Sequence, residues 1–219
     1  KKFKPLEENK IGASALLQNL RNMTDVGVNR KLVENAIRNM KIEKIFPYRF
    51  ITAASFAPQY LDFLENSMLK CVSQFPKLYG RTLLLVDVSG SMYNHKISEK
   101  SLTTRADAAA GLSILLREIC ESVNIVTFSR SAVEIDPVRG FRLTKLIHNS
   151  QPHTSTLLGN AFRIYNDNNR FDRVIVLTDE QSQDKVPDPK IEYAYLNNIA
   201  PYKFGVGYGT WNHIDGWSD

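Results

Sequence analysis

The sequence predicts an α/β protein, a doubly wound and mostly parallel sheet preceded by a small all-helical segment. Two short, branched apolar runs, residues 82–86 and 173–178, each lead into an acid, Asp87 and Asp179, as central strands covered on both faces do. From residue 80 onward the pattern runs strand, helix, strand, strand, helix, strand, strand. Before Gly80 the periodicity is helical throughout.

In chain order, Ala13, Leu16, Leu17 and Leu20 share one face of a helix over residues 13–23, which Thr24-Asp25-Val26-Gly27 stops. A second helix follows Asn29, with Leu32, Val33, Ala36, Ile37 and Met40 at helical spacing until Pro47 interrupts. A third starts near Pro58 and carries Leu61, Leu64, Met68, Val72 and Phe75 inward. Residues 76–80 join this part to the strand at Thr82. Residues 94–104 are polar and aperiodic and read as a loop over the site. The helix over residues 105–119 begins with small side chains at Ala106, Ala108, Ala109, Ala110 and Gly111, which let it lie close to a sheet. Leu112, Leu115, Leu116 and Ile119 complete its expected buried face.

Residues 124–128 form the second strand and residues 132–135 a short alternating one suited to an edge. Helices are expected over residues 141–148 and 157–165, the latter with Thr154-Ser155-Thr156 as cap candidates. A last strand covers residues 191–196. Residues 204–219, with Gly205, Gly207, Gly209 and two tryptophans, carry no clear element signal.

The 219 residues suffice for one α/β domain and a smaller neighbour, and 43% hydrophobic with 23% charged residues exclude a disordered chain. No apolar run approaches the length of a membrane span, and the basic first five residues lead into no signal-type apolar stretch. Cys71 and Cys120 lack metal or redox spacing and read as buried thiols in a reducing compartment, so a cytoplasmic protein is expected, and the sequon at Asn22 reads as coincidence. Charge is uneven. Residues 1–79 hold 13 Lys and Arg against 7 Asp and Glu, a balance of +6, whereas residues 80–219 hold 15 against 16, a balance of −1. The first third is therefore where an anionic partner such as RNA would be met, set against the plainer reading of a solvated, lysine-rich helical surface.

Asp87-Val-Ser89-Gly-Ser91 places three oxygen side chains two residues apart on a turn, a partial shell suited to Mg²⁺ or Mn²⁺ rather than Zn²⁺. Parallel strands bring their carboxyl ends to one edge, so Asp87, Ser89, Ser91, Thr156 and Asp179 are expected to meet there. Taken singly, Thr156 is also a helix-cap candidate and Asp179 a strand terminator.

These residues resemble a known motif. Asp87-Val-Ser89-Gly-Ser91, Thr156-x-x-Gly159-x-Ala161 and Leu177-Thr178-Asp179 are similar to the metal-ion-dependent adhesion site of von Willebrand factor A domains. The resemblance spans residues 80–219. It implies Mg²⁺ (or Mn²⁺) held by Asp87, Ser89, Ser91 and Thr156, directly or through water, with Asp179 on a bridging water. Thr154-Ser155 stand where the family often has Gly-Gly. Residues 1–79, through residues 13–23 and Phe46-Pro-Tyr-Arg-Phe50, resemble the last helices of the TROVE module, the helical-repeat ring of Ro-type RNA-binding proteins. The pairing implies a non-enzymatic ribonucleoprotein component with a small structured non-coding RNA as partner of the helical part. One carboxylate and three neutral hydroxyls leave a bound dication net positive, so an acidic protein ligand is the expected partner at the metal site.

The alternative is a Mg-dependent phosphohydrolase of haloacid-dehalogenase type with Asp87 as nucleophile. Ser89 stands where its second acid belongs. No Gly-x-Ser-x-Gly, phosphate-loop or dinucleotide fingerprint is present. His95, His148, His153 and His213 are scattered without ligand spacing and read as loop residues, with His95 and His153 expected near the site. Arg139, Arg142 and Lys145 read as a solvated basic face.

Overall fold

The computed structural model describes residue 6 and residues 10–99, 101–167, 169–200 and 209–216, and the chain divides into two compact units, Lys1–Pro76 and Lys77–Ser218. In the first unit, α1 (Ala13–Asp25), α2 (Arg30–Asn39), α3 (Tyr48–Phe56) and α4 (Leu61–Val72, after a 3₁₀ turn at Pro58–Tyr60) bury Leu16, Leu20, Val33, Ile37, Phe50, Leu64 and Met68. Asn29 caps α2 by accepting from the Lys31 amide at 2.9 Å. Two expectations change here. Pro47 does not merely interrupt; it stands at the start of α3, where its missing N–H has no helical partner to lose. Phe75 lies past the end of α4 and is 47% exposed, so it does not point inward.

The second unit is the doubly wound sheet the sequence predicts, of von Willebrand factor A type. Its elements are β1 (Leu78–Asp87), α5 (Gly90–Asn94), α6 (Arg105–Ile119), β2 (Cys120–Phe128), β3 (Ala132–Ile135), α7 (Arg142–His148), α8 (Leu158–Tyr165), β4 (Arg173–Thr178), β5 (Tyr193–Asn198) and β6 (Asn212–Asp215). The strand order is β3-β2-β1-β4-β5-β6, parallel except for the antiparallel edge strand β3. β1 is thus central, and the order reverses beside it. Its neighbours are β2, with Asp87 level with Phe128, and β4, with Val86 level with Leu177. Leu83 and Leu85 join Phe128, Val174, Val176, Leu158 and Phe162 in one core, while alternation sends Leu84 and Val86 to the opposite face. α6 packs on β1 and α7 on α6.

The buried face of α6 differs from the expected one. Ser113, Ile114 and Glu118 are buried beside the small residues, and Leu112, Leu115, Leu116 and Ile119 only half so. The two polar residues go inside because both are satisfied: the Ser113 hydroxyl donates to the Ala109 carbonyl at 2.8 Å, and Glu118 accepts from Arg139 at 2.7 Å. Arg139 is therefore an ion-pair partner rather than part of a loose basic face. Within the stretch that carried no element signal, Asn212–Asp215 forms the edge strand β6; residues 204–208 and 217–219 of that stretch, and residues 1–5, lie outside the described residues. No helix among the described residues is long and apolar enough to cross a membrane. Cys71 and Cys120 are buried free thiols.

Candidate metal centre

Asp87 closes β1 and is wholly buried. Its Oδ1 accepts from the Ser89 amide at 2.8 Å and its Oδ2 from the Thr178 hydroxyl at 2.6 Å. Burial pushes the carboxyl up to about 7; those hydrogen bonds oppose the rise and the charge of Asp179 adds to it. The Ser89 and Ser91 hydroxyls lie 3.2 Å apart, and the expected turn between them is the opening of α5. Gly90 allows a close approach, since a Cβ there would make a tight contact of 3.2 Å with the His153 carbonyl oxygen.

Thr156 arrives from the loop before α8 and is 5% exposed. Ser129, directly after β2, ties that loop down: its carbonyl accepts from the Leu157 amide at 2.9 Å, and its hydroxyl donates to the Ser155 carbonyl at 2.8 Å. Among the described residues, no hydrogen bond joins the Thr156 side chain to Asp87, Ser89 or Ser91. Thr156 is also not the helix cap the sequence allowed. Leu157 is the N-cap, and Asp184, from the loop after β4, accepts from the Gly159 amide at 2.9 Å and the Asn160 amide at 2.6 Å. The same loop reaches Thr156, whose carbonyl accepts from the Gln183 amide at 2.8 Å. A Cβ on Gly159 would collide with the Lys185 carbonyl oxygen.

Asp179, wholly buried, accepts from Arg105 Nη1 at 2.8 Å. Breaking such a buried pair by removing one partner generally costs about 3–5 kcal/mol. The other carboxylate oxygen, Oδ1, has no hydrogen-bond partner among the described residues. A buried anion with an unused acceptor fits a hydrated hard cation nearby, as does a donor set made of carboxylate and hydroxyl oxygens alone.

The structure also draws the histidines in. His153 Nδ1 lies 2.7 Å from the Val88 carbonyl oxygen, and its ring stacks on Tyr93 at 4.0 Å between centroids. His95 Nδ1 lies 3.1 Å from the Ser91 carbonyl oxygen. His148 ends α7, within the helix expected over residues 141–148; it meets Tyr93 Oη at 2.8 Å and Asp107 at 3.4 Å. The hydrogen bond from His148 leads the contacts that hold the Asp107 carboxyl down at about 2. His213, expected in a loop without ligand spacing, lies on β6. Its Nδ1 is 3.0 Å from Glu180 Oε1, and Glu180, His213 and Asp215 bring ligand atoms within 4.8 Å of one another, a group able to hold a divalent ion. Sequence spacing hides it, because 33 positions separate Glu180 from His213.

No protein-family model matches the chain, and no curated protein does. Among solved structures, it is similar to the crystal structure of the Deinococcus radiodurans Ro (RSR) protein, at 19% sequence identity and a TM-score of 0.71 over 95% of this chain and 51% of that one. The chain spans about half the length of that protein. An aerotolerance-related membrane protein from Bacteroides fragilis aligns over 54% of this chain and 66% of its own at 15% identity, with a TM-score of 0.39, too low to inform the reading. The fold of this chain, a helical unit followed by a doubly wound sheet of von Willebrand factor A type, is that of about half of the Ro protein it matches.

Proposed function

We propose that this chain is a non-catalytic binding module of a Ro-like, cytoplasmic ribonucleoprotein. In this reading residues 1–79 are the end of a TROVE helical-repeat ring and meet a small structured RNA, while residues 80–219 are an A domain that binds an acidic protein through a metal ion. Asp87, Ser89, Ser91 and Thr156 hold Mg²⁺ or Mn²⁺, and Asp179 faces the ion's water. When bound, the ion supplies a net positive centre that an incoming carboxylate completes.

The observation that carries this reading is the oxygen set at the carboxyl edge of the central strands, buried except for the half-buried Ser91, with the Asp87 carboxyl pushed up to about 7 by burial and one Asp179 oxygen unused by the described residues. A carboxylate so raised gains from a neighbouring cation. The chain's own residues organise the site: Thr178 and the Ser89 amide fix the Asp87 carboxylate, Arg105 fixes Asp179, and Ser129 and Gln183 hold the loop of Thr156. Ser89, in the position of the second acid of an aspartyl phosphohydrolase, speaks against turnover. Helical support for RNA comes from the charge balance of +6 over residues 1–79 and from a cavity of about 290 Å³ lined by Arg21, Asn22, Arg49 and Phe56 among others, which offers guanidinium groups and an aromatic ring together.

Calorimetric titration of the full chain with Mn²⁺ tests the metal assignment. Asp87→Ala is expected to remove one bound equivalent, and an unchanged stoichiometry and affinity in that variant would refute it.

A further inference from the structure

A second group of ligating side chains stands on the same edge of the sheet, independent of the oxygen set. Thr178, the end of β4, is level with Asn198, the end of β5, and Asn198 with Asp215, the end of β6. Glu180 lies two residues beyond Thr178, with a left-handed backbone at φ 60°, and its side chain is buried. His213 and Asp215 are two apart on β6, so both project from one face of the strand. The three residues offer one imidazole nitrogen and two carboxylate oxygens within 4.8 Å of one another.

We propose that Glu180, His213 and Asp215 form a second cation site, for a borderline dication of the Zn²⁺ class, separate from the hard-oxygen set around Asp87. One of the three separations already matches that of ligands on a bound ion. Ligands about 2.0–2.2 Å from Zn²⁺ stand roughly 3–4 Å apart, and His213 Nδ1 and Glu180 Oε1 are already 3.0 Å apart. The donor types decide the class. Mg²⁺ takes oxygen and keeps its waters, whereas one imidazole with two carboxylates suits Zn²⁺ and its first-row neighbours. Two carboxylates also balance the charge of a dication while the imidazole stays neutral. Accessibility grades outward from Glu180, at 1% side-chain exposure, through His213, at 22%, to the exposed Asp215. The third ligand therefore faces solvent, which gives the ion an entry route and leaves coordination positions for water or an outside donor.

The test uses the full chain, stripped with a chelator and titrated with Co²⁺ as a coloured stand-in for Zn²⁺. One equivalent is expected to give visible absorption that Zn²⁺ displaces and excess Mg²⁺ does not. His213→Ala should abolish the signal, and Asp215→Asn, a conservative change on an exposed side chain, should weaken Zn²⁺ binding at least about tenfold with the melting temperature of the metal-free chain as control. Asp87→Ala and His95→Ala should leave it unchanged. Absorption or Zn²⁺ affinity indifferent to both His213→Ala and Asp215→Asn, or no uptake by the unsubstituted chain, overturns the site in favour of a plain Glu180–His213 ion pair. Loss of the signal in Asp87→Ala overturns its independence from the oxygen set. Because Mn²⁺ loss in Asp87→Ala and Co²⁺ loss in His213→Ala are read separately, either assignment can fail without the other.

Discussion

Asp107 opens α6 in a capping box with Thr104, whose hydroxyl accepts from the Asp107 amide at 3.0 Å, and the Asp107 carboxylate also meets His148. Those contacts hold the carboxyl at about 2, below the value of about 3.9 in an unfolded chain. As pH falls the unfolded chain takes up the proton first, so the stabilisation is complete above about pH 4 and is lost as pH drops toward 2. Asp107→Asn is therefore expected to lower the melting temperature at pH 7 and to match the parent near pH 2. The side chain is half exposed and screened, so the difference should amount to a few tenths to about 1 kcal/mol. A deficit of the same size at both pH values would show that charge is not its source. At this scale the sequence was partly legible. Asp87 and Asp179 announce themselves because each ends an apolar run, whereas Asp184 does not, since its partners, the Gly159 and Asn160 amides, lie 25 and 24 positions earlier. Glu180, His213 and Asp215 were equally hidden, the last two because they sit on a four-residue strand with no pattern of its own.

Among the elements, the strands flanking the site were readable from their composition, as buried parallel strands carry branched apolar side chains on both faces. α3 was not, because Pro47 was read as a break when it begins a helix. The orientation of α6 was misjudged for a different reason: Ser113 and Glu118 look like surface residues, and their partners, the Ala109 carbonyl and Arg139, let them be buried. The start of α8 depends on a contact no pattern reveals, the approach of Gly159 to the Lys185 carbonyl. Gly159→Ala should force α8 away from the loop after β4 and cost about 1–3 kcal/mol, as overpacking does. It should also weaken Mn²⁺ binding, because that loop holds the Thr156 carbonyl through Gln183. Thermal melts and calorimetry on the same sample check both, and a variant as stable as the parent would mean the loop yields freely.

For the whole molecule, the uneven charge leads to a prediction about RNA. Lys31, Lys41 and Lys44 are exposed on the helical unit. The proposed RNA contact predicts weak binding of structured RNA at low salt; replacing all three with Glu is expected to remove most of it, and the binding of the unsubstituted chain should fall steeply with added salt through loss of counterion release. Equal loss on reversing three exposed cations of the sheet unit, measured by electrophoretic mobility, would place the RNA surface there instead. The strand order bears on how the protein reaches this state. β1 and β4 are neighbours in the sheet although Thr178 lies 91 positions after its partner Asp87. Closing so long a loop costs roughly 4 kcal/mol of chain entropy, so this pairing belongs late in folding. Until it forms, Asp87 lacks Thr178, and Asp179 has not reached its neighbourhood. A cation bound at the proposed site would therefore not template the early chain; it would lock the finished sheet and lengthen the lifetime of the native state without hastening its formation.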